Sequence, residues 1–293
     1  MSISTRVHAT DSEAAVNALR KWGFVIVEEA VASEPLKVLR ERMDRDTEEL
    51  LTYCESIGGN PRELGHLQQG PPVSKDYVFA DIAMNRFVNR ICNRLYEHRP
   101  RLTFYNGNTN CPGSTTQRLH MDGRHATLEP DPVSPISSVV VDIPPGPMNK
   151  GNGAIEIWPG SHLVRPPEGG PSVPAELEAH RRAIEGPIQA ETRVGDVLIR
   201  DTRLWHRGVP NQSSRPRHMI ALIVSDGRLP VRGKLDFQVG CEDALEGHTV
   251  DSNANYTDLS IDYLIAPTRR IYEHRETARK EAKVRQPNAN NGT

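Results

Sequence analysis

The sequence contains few cysteines and few aromatic residues, and this scarcity narrows the class of protein. Aromatic residues make up 5% of the 293 residues, and the four cysteines (Cys54, Cys92, Cys111 and Cys241) are far apart, with no C-x-x-C pair. This spacing argues against a disulfide framework and against a structural zinc site. It fits a reducing cytoplasm, where we expect the protein to be located.

An excess of one charge and long apolar runs are also missing. The formal net charge is −2 at pH 7 and the basic residues form no stripe, so we expect no nucleic-acid partner. No apolar run approaches the length of a membrane span, and residues 1–16 lack the apolar core of a signal peptide. We therefore expect no membrane partner and no export. The composition is that of an ordinary globular protein, and we expect a monomer or a homodimer.

The chain does contain a helix-rich first third. Helical spacing of apolar residues predicts helices over 11–22 and 33–52, and another within 80–97. Ser33 is the expected N-cap of the second helix. Between the first two helices, the β-branched residues of 23–31 predict a strand.

Many short strands are expected after this helical part. The 22 glycines and 23 prolines are concentrated between 106 and 234, which suits strands joined by turns. The pattern predicts strands over 101–107, 116–121, 136–143, 153–158, 196–200 and 217–225. Such spacing is typical of a jelly roll or a β-barrel. Further helices are expected over 174–184 and 267–284.

We interpret the chain as a single domain, because no linker divides it. The domain would cover 1–286, with a helical N-terminal part (11–98), a β core (101–225) and a C-terminal extension (226–286), before a disordered tail at 287–293. The Gly/Pro-rich segment 55–75 is either a lid over a substrate site or an ordinary surface loop.

The stretch QRLHMDGRH at 117–125 is the first indication of a functional site. His120 and Asp122 are two residues apart, and on an extended strand residues i and i+2 point to the same side. An imidazole and a carboxylate would therefore face one space. The pair alone is a weak signal, because a histidine on a strand is more often an ordinary polar residue than a metal ligand.

His206 is the best candidate for a third ligand. It lies just before a turn rich in Gly, Pro and Asn, at the end of a predicted strand. Two histidines and one carboxylate on one side of a metal form the facial arrangement used for non-haem Fe(II), which leaves positions open for a cosubstrate and dioxygen. A zinc hydrolase is the alternative, but it would need a general base, and no glutamate adjoins these ligands.

Arg217 suggests the cosubstrate. The chain turns through GVPNQSSRP at 208–216 and returns as an apolar strand that begins with Arg217, so a hairpin would bring this arginine close to His206. A buried guanidinium needs an anionic partner, and its fork suits a carboxylate. The distal carboxylate of 2-oxoglutarate is the natural candidate. Arg215 is a nearby competitor, but its Ser/Pro turn would leave it solvated.

These motifs together resemble the phytanoyl-CoA dioxygenase family of Fe(II)/2-oxoglutarate-dependent oxygenases. The resemblance spans about 20–225 and rests on the H-x-D pair, His206, Arg217 eleven residues later, and the strings GNGAIEIWPGSH at 151–162 and GVPNQSSRPR at 208–217. It implies a mainly β fold, with a double-stranded β-helix core (a jelly roll of the cupin type) and flanking α-helices. It also implies that Gln117 contacts 2-oxoglutarate.

The resemblance further implies the cofactors and the reaction. Fe(II) would bind to His120, Asp122 and His206, with 2-oxoglutarate and dioxygen as cosubstrates. 2-Oxoglutarate would be converted to succinate and CO₂, while a small-molecule substrate is hydroxylated, oxidised to a ketone or closed into a ring. Halogenases of the superfamily have Gly or Ala at the position of Asp122, so the aspartate indicates oxygenation.

A narrower resemblance concerns the substrate. The strings GNTNCPGSTTQRLHMD at 107–122, EIWPGSH at 156–162 and RLWHRGVPN at 203–211 are similar to kanamycin B dioxygenase and related aminoglycoside-tailoring oxygenases. This implies a polar, sugar- or aminocyclitol-like natural product and a role in antibiotic biosynthesis. The alternatives are a terpenoid, alkaloid or acyl substrate and, from another class, a non-catalytic β-helix protein that binds a metal or ligand.

Four more polar or aromatic residues are candidate substrate contacts or supports of the site: Asn108, His125, Trp158 and His162. Each has a simpler alternative. Asn108 could cap a turn, His125 could belong only to a loop, Trp158 could pack in the core, and His162 could cap a turn beside the site.

Overall fold

The computed structural model describes residues 4–58, 65–124, 135–165, 171–231 and 233–270. The α-helices with both ends in these ranges are α1 (Ser12–Trp22), α2 (Ser33–Ser56), α3 (Ala80–Ala83), α4 (Arg86–Leu95), α5 (Ala175–Ile184) and α6 (Glu242–Leu245). The strands are β1 (Arg6–His8), β2 (Phe24–Glu28), β3 (His66–Gln68), β4 (Arg101–Asn110), β5 (Ser138–Ile143), β6 (Glu156–Ile157), β7 (Ile188–Gln189), β8 (Val197–Asp201), β9 (His206–Arg207), β10 (Arg217–Ser225), β11 (Leu235–Gln238) and β12 (Ala254–Thr257). None of the helices in these ranges combines the length and apolarity that a membrane span requires.

Seven strands form one large sheet in the order β1-β2-β8-β5-β10-β4-β3. Its pairs are antiparallel except for β1 with β2. A smaller antiparallel sheet has the order β7-β6-β9, and β11 pairs with β12 in parallel. The protein is therefore mainly β, with one large antiparallel sheet and flanking helices.

One face of the large sheet packs against the helices. Alternate residues of the central strands join α1, α2 and α4 in the main core cluster. The central members are Val139, Val141, Ile199, Ile220 and Leu222, each 2% exposed or less. Burying a side chain of this size contributes about 1.5–3 kcal/mol. Because side chains alternate along a strand, the residues between them lie on the opposite face, over a cavity.

The expected helices are largely confirmed. α1 begins after Asp11, whose side chain accepts a hydrogen bond of 3.0 Å from the Ala14 backbone, and ends at Gly23 in the left-handed conformation (φ 79°). α2 differs from expectation at its start. Its N-cap is Ala32 and no side chain caps it, so Ser33 is the first helical residue and not the cap.

The strand expected over 116–121 does not form as a regular element. His120 makes an isolated antiparallel bridge to His206, because pairing here extends over too few residues for a ladder. The alternation of side chains nevertheless holds. Leu119 and Met121 are buried in an apolar cluster, whereas His120 borders the cavity.

The predictions for the C-terminal region are tested only in part. Residues 265–270 are helical, so the helix expected over 267–284 begins two residues earlier than expected. The remainder of that helix and the tail at 287–293 lie outside the described residues. The segment 55–75 is expected to be either a lid or an ordinary surface loop, and its residues 59–64 also lie outside the described residues. Its described part is not all loop, because α2 ends at Ser56 and β3 pairs with β4. A lid remains a prediction.

Candidate metal centre and active site

The backbone brings the two histidines together. His120 N donates to His206 O at 3.1 Å and His206 N donates to His120 O at 2.9 Å, so the extended segment before β5 runs beside β9. The two imidazole centroids are 4.3 Å apart. Asp122 N donates to Thr202 O at 2.9 Å, which fixes the third residue beside the same edge.

His120, Asp122 and His206 each offer one ligand atom, and these atoms lie within 4.8 Å of one another. The Nδ1 atoms of His120 and His206 lie 2.8 Å and 2.9 Å from the carbonyl oxygens of Arg118 and Leu204. A carbonyl oxygen only accepts, so Nδ1 carries the hydrogen and Nε2 keeps its lone pair. Carbonyl contacts of this kind orient histidines that bind metals.

The electrostatics keep Asp122 and His206 deprotonated. Burial acts to raise the pKa of Asp122, but its side chain is 32% exposed, and the nearby His206 imidazole and the charge of Arg200 outweigh burial and hold this pKa well below its usual range. Burial, helped by Arg200, lowers the pKa of His206 to about 3. Both groups are therefore in the form that binds a metal ion at neutral pH.

Arg217 is buried with most of its hydrogen-bonding capacity unused. Its Nη2 donates to Gly153 O at 3.2 Å, and among the described residues Nε and Nη1 have no partner. Burial lowers its pKa to about 10, against the attraction of Asp142, so the group stays charged at neutral pH. A buried guanidinium with two unpaired nitrogens calls for an anionic ligand.

The hydrogen-bond acceptor for Arg217, the Gly153 carbonyl, belongs to the G-x-G motif at 151–153. Gly153 adopts a left-handed conformation (φ 74°) at the end of a 3-10 turn, Lys150–Asn152, and its carbonyl accepts the arginine hydrogen bond. This turn also shortens the strand expected over 153–158 to the two residues of β6.

The ligand triad and Arg217 border the same cavity, of about 350 Å³. Its polar lining also includes His66, Gln68, Asn108, Gln117 and Arg200, and its apolar lining includes Phe104, Val140, Ile155, Met219, Ala221 and Ile223. Along β10 the lining changes from Arg217 at one end to Ile223 at the other, so the cavity has a cationic end and an apolar end. A second cavity, of about 510 Å³, also borders Arg217.

The structure separates the other candidate residues. Asn108 and Gln117 border the cavity, and Gln117 Oε1 accepts from Gly208 N at 2.8 Å. Trp158 does not border it: the side chain is fully buried and Nε1 donates to Glu156 at 3.1 Å. His162 is also buried away from the cavity, with Nε2 3.2 Å from Arg20 O.

For Trp158 and His162 the simpler alternatives, core packing and a structural cap, therefore fit the structure, and a direct substrate contact does not. Trp158 lies in an apolar cluster with Trp205, and His162 is 1% exposed. His125 lies outside the described residues, so its expected role is untested.

Sequence reasoning missed Arg200, Asp142 and His66. Arg200 and Asp142 are charged residues inside apolar strands, VLIRD and SVVVDI, which is the same signal that drew attention to Arg217. His66 gave no such signal, because its strand β3 has only three residues and pairs with β4 from a distant part of the chain.

A grouped set of potential metal ligands and an unpaired buried cation in one cavity are the features that a metalloenzyme with an anionic ligand would need. Comparison with known families agrees with this class. The profile of the phytanoyl-CoA dioxygenase (PhyH) family matches residues 19–219. The chain belongs to this family, and it is an enzyme of the 2-oxoglutarate-dependent dioxygenase class.

Solved structures share the fold at low sequence identity. AviO1 from Streptomyces viridochromogenes Tue57 is 21% identical, covers 75% of this chain and 97% of its own, and has a TM-score of 0.51. SnoK, a non-heme alpha-ketoglutarate-dependent carbocyclase from nogalamycin biosynthesis, is 18% identical over 76% of this chain and 88% of its own, with a TM-score of 0.54. SnoN, the corresponding epimerase, is 15% identical over 74% and 81%, with a TM-score of 0.51.

Proposed function

We propose that the protein is an Fe(II)- and 2-oxoglutarate-dependent oxygenase that oxidises a small natural product. The observation that carries this proposal is the position of Arg217. It is a buried cation with two unpaired nitrogens, and it borders the same cavity as His120, Asp122 and His206. A metal site alone would fit many reactions, whereas a metal site with an anion site beside it fits a dicarboxylate that chelates the metal.

The donor set suits the metal. Two imidazoles and one carboxylate on one side are the ligands of non-haem Fe(II) oxygenases. Among the described residues that border the cavity, Asp122 is the only carboxylate, so no second acid is available as the general base of a zinc hydrolase. Membership of the PhyH family and the fold shared with a non-heme alpha-ketoglutarate-dependent enzyme also support iron as the metal.

Each residue then has a definite task. His120, Asp122 and His206 would hold Fe(II), Arg217 would bind the distal carboxylate of 2-oxoglutarate, and Gln117 would donate its amide N–H to the cosubstrate. Bound iron, 2-oxoglutarate and dioxygen supply the oxidising chemistry, with release of succinate and CO₂. The protein orients the two small ligands and the substrate around the open coordination positions.

The finer architecture is part of the same proposal. We infer that the large sheet and the β7-β6-β9 sheet are the two sides of a double-stranded β-helix. The cavity supports this inference, because it is bordered on one side by Arg200 of β8 and Met219 of β10. On the other side it is bordered by His206 of β9 and by Ile155, which directly precedes β6.

The decisive measurement is the anaerobic visible spectrum of the protein with Fe(II) and 2-oxoglutarate. We expect a weak charge-transfer band in the wild-type protein. Arg217→Ala removes one partner of a buried charge pair, which costs about 2–5 kcal/mol, or a roughly 30- to 5,000-fold loss in 2-oxoglutarate affinity. Iron binding should be largely intact.

Arg215→Ala is the matched control, because Arg215 is two residues away but pairs with Asp44 at 3.1 Å, with its side chain 65% exposed. It should bind 2-oxoglutarate like the wild type. Absence of the band, with zinc alone supporting activity, would contradict the oxygenase. Equal loss of iron and cosubstrate binding in Arg217→Ala would contradict the role given to Arg217.

Two classes of substrate, one polar and one apolar, are compatible with the cavity. A sugar- or aminocyclitol-like substrate fits the polar residues Gln68 and Asn108 on the cavity wall. The apolar end, with Phe104, Val140 and Ile223, instead favours a second candidate: a terpenoid, alkaloid or acyl substrate that turns an apolar surface toward the metal. Succinate formation above the uncoupled rate, measured with one panel of each type, decides between them.

A further inference from the structure

Arg200 connects the ligand triad to a buried charge that takes no part in the proposed reaction. Its Nη1 donates to Asp122 Oδ2 at 2.7 Å, and its Nε donates to Asp142 Oδ2 at 2.8 Å. Arg200 and Asp142 are 4% and 0% exposed. One guanidinium thus bridges a carboxylate at the metal centre and a carboxylate within the central strand β5.

The bridge acts on the ligand that is least held by its surroundings. Among the described residues, Arg200 is the only donor of a hydrogen bond to the Asp122 side chain, which is 32% exposed and adjoins a part of the chain outside the described ranges. By contrast, the His206 imidazole is buried and bonded to Leu204 O. Without Arg200, Asp122 would be free to turn toward solvent.

The geometry also places the guanidinium between two ligands. Arg200 Nη1 lies 3.4 Å from His206 Nδ1, and Asp122 Oδ2 lies 3.4 Å from His206 Nε2. The Asp122 carboxylate is therefore held on the His206 side of the cavity. The same strand end fixes the Asp122 backbone, because Thr202 O accepts from Asp122 N at 2.9 Å.

We infer that Arg200 is a positioning residue of the metal centre: anchored by Asp142, it holds the Asp122 carboxylate in the direction that binds the metal. This inference rests on the proposed function for the identity of the metal and the cosubstrate. It assigns to the Arg200–Asp142 pair a role that a buried ion pair need not have, since such pairs are often neutral for stability.

The test uses the double variant Arg200→Met/Asp142→Asn, which removes one charge of each sign and so leaves the net charge unchanged. We expect the Kd for Mn(II), measured by electron paramagnetic resonance, to rise roughly 10- to 100-fold, the usual effect of losing a group that orients a ligand. The anaerobic Fe(II)/2-oxoglutarate band should shift or weaken as well.

The matched control is Arg203→Met/Asp201→Asn. This pair is equally buried, at 4% and 0% exposed, and lies at the end of the same strand, but no ligand of the triad contacts it in the hydrogen bonds and ion pairs of the described residues. The control should lose similar thermal stability and keep the wild-type Kd for Mn(II) and the wild-type band.

Arg200→Lys keeps the charge but presents a single ammonium group in place of a fork, so it can hold one carboxylate and not both. We expect a Kd between those of the wild type and the double variant. If the double variant does not fold, this variant decides: a raised Kd with a shifted band supports the inference, and wild-type values overturn it.

Failure of this inference and failure of the proposed function look different. A wild-type protein that forms no band with Fe(II) and 2-oxoglutarate contradicts the proposed function. A wild-type band that persists unchanged in both Arg200 variants, with an unchanged Kd for Mn(II), leaves the function intact and reduces Arg200 to a structural ion pair.

Discussion

The two faces of the large sheet are built from alternate residues of the same strands, yet their chemistry differs. On the helix side, Val141, Ile199 and Ile220 are fully buried in the main core. On the cavity side, their neighbours include Asp142, Arg200 and Arg217, which are buried and charged. Burying apolar residues stabilises the fold, whereas burying charge costs free energy unless a partner compensates it.

The buried charges on one face alone indicate, without reference to any relative, that the cavity side is the functional side. The charged residues of the cavity side are either paired, as Arg200 is with Asp122 and Asp142, or left with unused donors, as Arg217 is. Arg200 is compensated within the protein, whereas the unused donors of Arg217 would be compensated by an anion bound in the cavity. We expect the helix face to determine stability and the cavity face to determine binding, so variants on the two faces should have different effects.

The largest expected effect comes from removing a ligand on the cavity side. His206→Ala should abolish tight metal binding and reduce substrate oxidation to background, because two ligands do not hold the metal. His162→Ala is the matched control, since His162 is an equally buried histidine outside the cavity. Metal content after loading and desalting measures the difference. Retained metal in His206→Ala, or equal loss in both variants, would contradict the assigned site.

A smaller effect is expected from a cavity made on the helix side. Leu222→Ala should lower the free energy of unfolding by about 2–5 kcal/mol, because Leu222 is 2% exposed within the main core. Urea denaturation measures this change, and the Kd for Mn(II) should stay at the wild-type value.

The neighbouring variant Ile223→Ala provides the comparison on the other face. Ile223 borders the cavity and is only partly buried, so truncating it should cost less stability and should change substrate-dependent succinate formation instead. If Leu222→Ala raised the Kd for Mn(II) and left the free energy of unfolding unchanged, the division between the two faces would be wrong.

The smallest effect is a pH dependence on the helix side. The His218 hydrogen bond lowers the pKa of Asp44 below its ordinary 3.8, aided by Arg215, although partial burial opposes the shift. A carboxyl whose pKa is lowered in the folded state contributes stability at higher pH, and this stability is lost as the pH falls below about 4. Asp44→Asn should therefore flatten the acid limb of the stability curve.

The effect of Asp44→Asn at neutral pH should be under about 1 kcal/mol, as for a partly exposed ion pair. Urea denaturation between pH 3 and pH 7 measures it. The exposed Asp258 provides the control variant Asp258→Asn, which should leave the slope unchanged. A steeper acid limb in Asp44→Asn would contradict the prediction that ionised Asp44 stabilises the folded state.

Much of the site could be predicted from the sequence because its signals are local. His120 and Asp122 follow from the spacing of two residues in an extended segment, and Arg217 from a charge in an apolar strand. The structure brings these three residues and His206 to one cavity. The expected alternation of side chains is present even though the segment at 116–121 is not a regular strand, because alternation needs only an extended backbone.

The rest depended on contacts between distant segments. The Arg200 bridge joins β8, β5 and the segment of Asp122, and no spacing in the sequence reveals that these three meet. For the same reason, the burial of Trp158 and His162 away from the cavity could not be read from their motif. Their neighbours Trp205 and Arg20 come from other parts of the chain.

Arg217 has one more consequence, which concerns connectivity. Its side chain borders both the metal cavity and the larger cavity lined by Arg40, Asn149 and Gln212. Because this one side chain borders both cavities, it separates them in addition to its proposed role in binding. Shortening it would open a passage, so solvent could reach a bound dicarboxylate from behind.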